Sequence, residues 1–159
     1  MINQTVETAF RVLLFLGAQD SKRLVSLQEI HGVVGGSSTY LAKVTAVLSH
    51  AGLLKSQRGA QGGLSLGKDP KKITMLEVVE AAQGAYSPFS PTQCSTGSGK
   101  WCGYHKVAAD LNLMLASAMK KVSLEQMSLH GSKIQAGCVL DCISAKPLKA
   151  RAKSKTKHK

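Results

Sequence analysis

A chain of 159 residues that is 43% hydrophobic holds enough apolar material for one compact domain of ordinary core size, or for a small domain with a dimerisation element. No apolar run approaches the ~20 residues of a membrane span, and the N-terminus lacks the charged-then-apolar plan of a signal peptide, which points to a cytoplasmic protein without a membrane partner. The formal charge of +12 suggests a polyanionic partner, but 7 of the 21 Lys and Arg lie between Lys146 and Lys159, so the other 14 against 9 acidic residues leave the rest only +5. With no phosphate-binding glycine loop, no paired carboxylates and no nucleophile beside a base, the chain does not read as an enzyme.

Aromatics make up 4% of the chain, so the core must be mostly aliphatic. The first predicted helix runs from about Gln4 to Gly17, where Val6, Phe10, Leu13, Leu14 and Gly17 share a face. Glu7, in its first turn, reads as a solvated acid favoured by the helix dipole. Ser26 followed by Glu29 has the pattern of a capping box, opening a second helix with Leu27, Ile30 and Val34 apolar and Gly35-Gly36 at its end. Ser37 or Ser38 caps a third helix. Leu41, Val44 and Leu48 make its apolar stripe and Gly52 closes it. Its open face carries Ser38, Thr39, Tyr40, Ala42, Lys43 and Ala46, small, polar and basic, with no acid among them.

Leu53-Leu54 and Leu64-Ser65-Leu66 read as two short strands around a glycine-rich tip that holds Lys55, Arg58 and Gln61. Two short helices joined by a glycine turn and followed by such a hairpin have the plan of a winged helix-turn-helix, a double-stranded DNA-binding module. Ser38, Thr39, Tyr40 and Lys43 are then the candidates to read bases or hold phosphates, and Arg58 with Gln61 to reach a minor groove.

Asp69-Pro70 ends the wing. Thr74 and Glu77 form a second capping box, opening a helix to about Gln83 that Gly84 stops. Residues 85 to 106 have little periodicity and are punctuated by Pro88, Pro91 and Gly97-Ser98-Gly99, and a loop of this length characteristically carries function. Its candidate ligands are Cys94, Cys102 and His105, thiolate and imidazole donors suited to soft or borderline metals and iron-sulfur clusters. In a cytoplasmic chain the four cysteines suggest thiols, metal ligands or redox switches rather than structural disulfides, so a thiol pair of Cys94 with Cys102 stays open, as does a loop with no sensor.

From Tyr104 a helical stripe follows, of Val107, Ala108, Leu111, Met114, Leu115, Ala118, Met119 and Val122, longer than a small module can cover alone; it predicts a homodimer interface. Ser123 to Gln126 reads as a short capped turn. Cys138 and Cys142 share a helical spacing but lack further ligands nearby, and read as buried or free thiols. The lysine-rich tail is expected to be disordered and to add salt-sensitive contacts to DNA phosphates. The expected fold is mainly α with a small β-hairpin wing: a winged helix-turn-helix over 1–84, a ligand loop over 85–106, a dimerisation helix and turn over 107–128, and an extension with the basic tail over 129–159.

The stretch from Tyr40 to Gly84 resembles the core of the Rrf-type winged-helix regulators, the family of IscR, NsrR and CymR. Its most specific pieces are Tyr40-Leu41, Ala51-Gly52-Leu53, Arg58-Gly59 with Gly62-Gly63, and Ile73-Thr74 leading into Glu77-Val78, and the resemblance runs on both sides from the first helix to about Met127. Members are bacterial transcription factors, usually homodimers, and many carry an iron-sulfur cluster. The resemblance implies a dimeric regulator on an inverted-repeat operator. It also implies a 2Fe-2S cluster in which Cys94 matches the first loop cysteine of relatives, Cys102 the last, and His105 the histidine that follows in IscR-like members; the middle cysteine has no counterpart. In some members an acidic residue near the position of Glu7 reaches across the dimer, which makes Glu7 of the partner subunit the implied fourth ligand. IscR-like relatives carry an acidic residue where this chain has Ala42, so their operator preference does not transfer. Two alternatives accompany this reading: a cluster-free regulator of the same family, acting by cysteine oxidation or without a sensor, and a non-specific nucleoid-type DNA-binding protein.

Overall fold

The structure is a computed structural model in which residues 3–20, 23–59, 62–89 and 102–129 are described. Gln61, Cys94, Cys138, Cys142 and the basic tail lie outside the described residues. The element order is α1 (Gln4–Gly17), α2 (Leu27–Val34), α3 (Ser38–His50), β1 (Leu54–Gln57), β2 (Gly63–Leu66), a 3-10 turn (Pro70–Lys72), α4 (Met75–Gln83), α5 (Gly103–Lys120) and α6 (Leu124–Leu129). This is the mainly helical, winged helix-turn-helix architecture expected.

Helix α1 is the hub. Its buried face of Val6, Ala9, Val12, Leu13 and Leu16 meets α2, α3, α4, α6 and β2. Leu13, Ile30, Leu41, Leu48, Leu53, Ile73 and Leu124 are the largest fully buried side chains, so the core is aliphatic and draws on nearly every element. Each such leucine or isoleucine removed from water stabilises the fold by about 1.5–3 kcal/mol.

The helix starts are set by short polar side chains. Asn3 caps α1 by accepting from the Val6 amide, Ser26 caps α2 by accepting from Glu29, and Ser37 caps α3 by accepting from Tyr40. At Thr74 both halves of the capping box form: Thr74 Oγ1 accepts from the Glu77 amide at 3.2 Å, and Glu77 Oε2 accepts from the Thr74 amide at 2.9 Å. At Ser26 the serine makes its half, while the Glu29 carboxylate accepts from Arg23 at 2.7 Å. A cation arriving from the preceding loop competes successfully with the helix's own first amide.

Burial pushes the Glu77 carboxyl up, but the Thr74 amide and hydroxyl and the Lys68 ammonium at 3.0 Å outweigh it and hold the carboxyl below its ordinary value of 4.5. A depressed folded-state value means that this contribution to stability is fully present above the unfolded value and is lost as pH falls through the folded one. Glu77→Gln is therefore expected to flatten part of the acid limb of a Tm-against-pH curve. An unchanged limb would show that the capping box is not acid-sensitive.

Strands β1 and β2 pair antiparallel, with Leu54 opposite Leu66 and Gln57 opposite Gly63. The ladder thus extends through Lys55, Ser56 and Gln57, which sequence assigned to the tip. They are exposed on an edge strand, where polar residues belong and no apolar alternation marks them. Val25 adds a bridge on the far side of β2: its amide donates to the Leu64 carbonyl at 3.0 Å and its carbonyl accepts from the Leu64 amide at 2.8 Å.

The expected stripe of α5 divides in two. Ala108 and Met119 turn inward, and Met119 packs with Val6 and Val79. Tyr104, Val107, Leu111, Met114 and Ala118 occupy a neighbouring arc of about 80°, and in the protomer they are exposed, Tyr104 by 63%, Val107 by 57% and Met114 by 67%. Ser123 and Gln126 exchange hydrogen bonds at the start of α6, as the capped turn required. No helix among the described residues is long and apolar enough to cross a membrane.

Candidate nucleic-acid interface and sensor segment

Helices α2 and α3 are joined by Gly35 and Gly36, with φ of 75° and 86°, a left-handed turn that side-chain-bearing residues rarely adopt. His31 Nε2 lies 2.8 Å from the Gly36 carbonyl oxygen and bridges the turn. In α3, Leu41, Val44, Thr45 and Leu48 are buried, which leaves Ser38, Thr39, Ala42, Lys43, Ala46 and Val47 exposed on the outer face. Neither α3 nor the hairpin from Leu54 to Leu66 contains an acidic residue. The amide-rich N-terminus of α3, a favourable seat for phosphate, stands beside these residues.

The predicted DNA-contacting residues are placed as follows. Ser38, Thr39 and Lys43 share the exposed face of α3, and Arg58 is exposed at the wing. Tyr40 is half-buried, packs against the core, and donates its hydroxyl to Thr5 Oγ1 of α1 at 3.1 Å. Gln61 lies outside the described residues.

Cys102 occupies the N-cap position of α5 without a side-chain capping bond, and His105 sits in the first turn, with Cys102 Sγ 2.8 Å from His105 Nδ1. The spacing of three residues on a helix brings them together. The Tyr104 and His105 rings meet in a T-shaped arrangement, with centroids 6.0 Å apart at 82°. Thiolate and imidazole are donors that suit iron, and this pair supplies two; the segment with Cys94 lies outside the described residues. Among the described residues no group of three His, Cys, Asp or Glu converges. Glu7 of the same chain is half-buried rather than fully solvated, and its carboxylate pairs with Arg11 one turn on, whose Nε is buried without a hydrogen-bond partner among the described residues.

Two polar residues at these sites were missed in the sequence. His31 gave no periodic signal because its role depends on the turn behind it. Asn112 holds the chain at Ser87 and Phe89 on α5: its Oδ1 accepts from the Phe89 amide at 3.2 Å, and its Nδ2 donates to the Phe89 carbonyl and the Ser87 hydroxyl, both at 3.1 Å. An asparagine within an apolar helical stretch was the available clue.

Residues 2–129 match the family Rrf2, described as an iron-dependent transcriptional regulator. A protein of Aquifex aeolicus named as an HTH-type transcriptional regulator is 30% identical over 131 residues, 80% of this chain and 90% of that one. The regulator NsrR of Bacillus licheniformis is 32% identical over 94 residues, 59% of this chain and 64% of NsrR, so the chain spans just under two thirds of that relative. Among solved structures, CymR of B. subtilis superposes with a TM-score of 0.68 at 23% identity, covering 83% of this chain and 98% of CymR. IscR of T. potens superposes with a TM-score of 0.67 at 22% identity, covering 85% and 90%. These two share the winged-helix fold. With a family match over residues 2–129, which spans all the described residues, the chain belongs to the Rrf2 family of DNA-binding transcriptional regulators, which are not enzymes.

Proposed function

We propose that this protein is a homodimeric, sequence-specific transcription regulator whose operator affinity is set by the chemical state of the segment from Cys94 to His105. The observation that carries the DNA side is the acid-free outer face of α3, where Ser38, Thr39 and Lys43 stand exposed beside a wing bearing Lys55 and Arg58. Two such faces in a dimer enter successive major grooves, and the operator is an inverted repeat. Selection from random duplexes tests this: enrichment of an inverted repeat supports it, and affinity equal to that of bulk DNA would replace it with nucleoid-type binding. Arg58→Ala is expected to weaken binding to the selected operator by roughly tenfold at fixed salt. Unchanged binding would remove the wing from the interface.

The group held by the sensor segment is proposed to be a 2Fe-2S cluster. The family's description as iron-dependent and the convergence of Cys102 with His105 support it. Cys94, Cys102, His105 and Glu7 of the partner subunit would hold the cluster, which supplies one-electron chemistry sensitive to redox state or nitric oxide. Such a centre, tying the start of α5 to α1 of the other protomer, would fix the spacing of the two α3 helices, and its loss would shift the population between two DNA affinities. Protein purified without oxygen should show visible absorption with about two iron and two sulfide per subunit, and Cys102→Ala should abolish both. A colourless protein whose Cys94 and Cys102 form a reversible disulfide on mild oxidation would favour the thiol switch instead.

A further inference from the structure

The recognition helix is tied to α1 by a hydrogen bond that starts within its first turn. Tyr40 donates its hydroxyl to Thr5 Oγ1 at 3.1 Å across 35 positions of sequence, while its ring packs on the core. The other side-chain hydrogen bonds to α3 among the described residues are local: Ser37 Oγ accepts from the Tyr40 amide at 3.2 Å, and the Thr45 hydroxyl donates to the Ala42 carbonyl at 3.0 Å. Leu41, Val44 and Leu48 hold the inner face by apolar packing, which is non-directional and leaves small rotations and slides of the helix cheap. A hydrogen bond is directional and so resists them. Ser38 and Thr39, adjacent in sequence, are the residues whose reach into a groove such a rotation would change.

We propose that Tyr40 is a positioning residue for DNA recognition: its hydroxyl, seated on Thr5 of α1, fixes the angle at which the N-terminal turn of α3 meets the major groove, and it does not itself read a base. The inference rests on the reading of α3 as the groove helix. The hydroxyl is committed to an intramolecular acceptor on a different helix, and the half-buried ring is held in place by the core. Thr5 belongs to α1 and not to the outer face of α3, and this contact is the link by which it would act on the DNA-reading turn. Tyr40 also connects the reading end of α3 to the helix that carries Glu7, which gives any displacement of α1 a route to the DNA-reading turn.

The test is a double-mutant cycle on operator binding, read by fluorescence anisotropy at fixed salt on the full chain, with Tyr40→Phe, Thr5→Val and both together, and Lys43→Ala alongside. Removing one neutral hydrogen bond without changing shape is expected to weaken binding about 3- to 10-fold. Tyr40→Phe and Thr5→Val should each do so, the pair together should be no worse than either alone, and thermal unfolding of all three should lie close to the parent. Lys43→Ala should weaken binding independently. If Thr5→Val is inert while Tyr40→Phe weakens binding, Tyr40 touches DNA directly and the proposal is overturned. It also fails if the two effects multiply, if both variants bind like the parent, or if the loss of affinity merely follows a loss of stability. An inert Lys43→Ala would instead reject α3 as the groove helix, a separate failure with a separate signature.

Discussion

The double substitution Leu111→Asp with Met114→Asp is expected to give a folded monomer whose affinity for an inverted-repeat operator is at least about 100-fold lower. Both side chains lie on the uncovered arc of α5, away from Ala108 and Met119, which face the protomer's own core. Charges placed there stay solvated in a monomer and cost it little, but two copies brought together would bury them without partners. The loss of affinity follows from geometry, because one recognition surface bound to one half-site forfeits the effective concentration that links it to the second. Sedimentation equilibrium reports the assembly, far-UV circular dichroism the fold, and anisotropy the binding. A variant that still sediments as a dimer would place the interface elsewhere on the chain.

Gly63→Ala should destabilise the protein by about 2–3 kcal/mol and lower Tm by on the order of 10 °C. A Cβ at Gly63 would sit 2.7 Å from the Val25 carbonyl oxygen and 3.0 Å from its carbonyl carbon and amide nitrogen. All three are backbone atoms, so relief requires separating Val25 from β2 and losing the two hydrogen bonds between Val25 and Leu64. The wing would then lose the Val25 bridge that braces β2. Gly32, inside α2, provides the contrast, since a Cβ there meets nothing within 4 Å. Gly32→Ala should be neutral or stabilising by up to about 1 kcal/mol. If calorimetry finds the two substitutions equivalent, the close approach at Gly63 is not what limits it.

Local chemistry was well written in the chain. The bounds of α1, the capping serine and closing glycine of α3, and the reciprocal pair at Thr74 follow from residues within a few positions of one another, where hydrogen-bond reach leaves few options. The Cys102–His105 pair belongs to the same class, since a helix brings positions three apart together. The bridge of Val25 to Leu64 and the seat of Tyr40 on Thr5 were not legible, because each depends on a partner brought in by the tertiary fold. Helix α5 shows a third kind of limit. Its inward and outward arcs adjoin, so their apolar residues merge into a single stripe when read along the chain. Only the placement of Val6 and Val79 separates Met119, which they cover, from Met114, which they do not.

The hydrogen bonds of Asn112 to Phe89 have a consequence for the spacing of the ligands. Phe89 is fastened to Asn112, and Cys102 stands at the N-terminus of the same helix. The two anchor points are ten positions of helix apart, about 15 Å along its axis, and their separation is set by a rigid rod. Asn112 and Cys102 therefore keep their separation for as long as α5 keeps its helical form. A displacement of α5 would thus carry Phe89 and the Cys102–His105 pair with it as one unit, which makes this helix the common support of both.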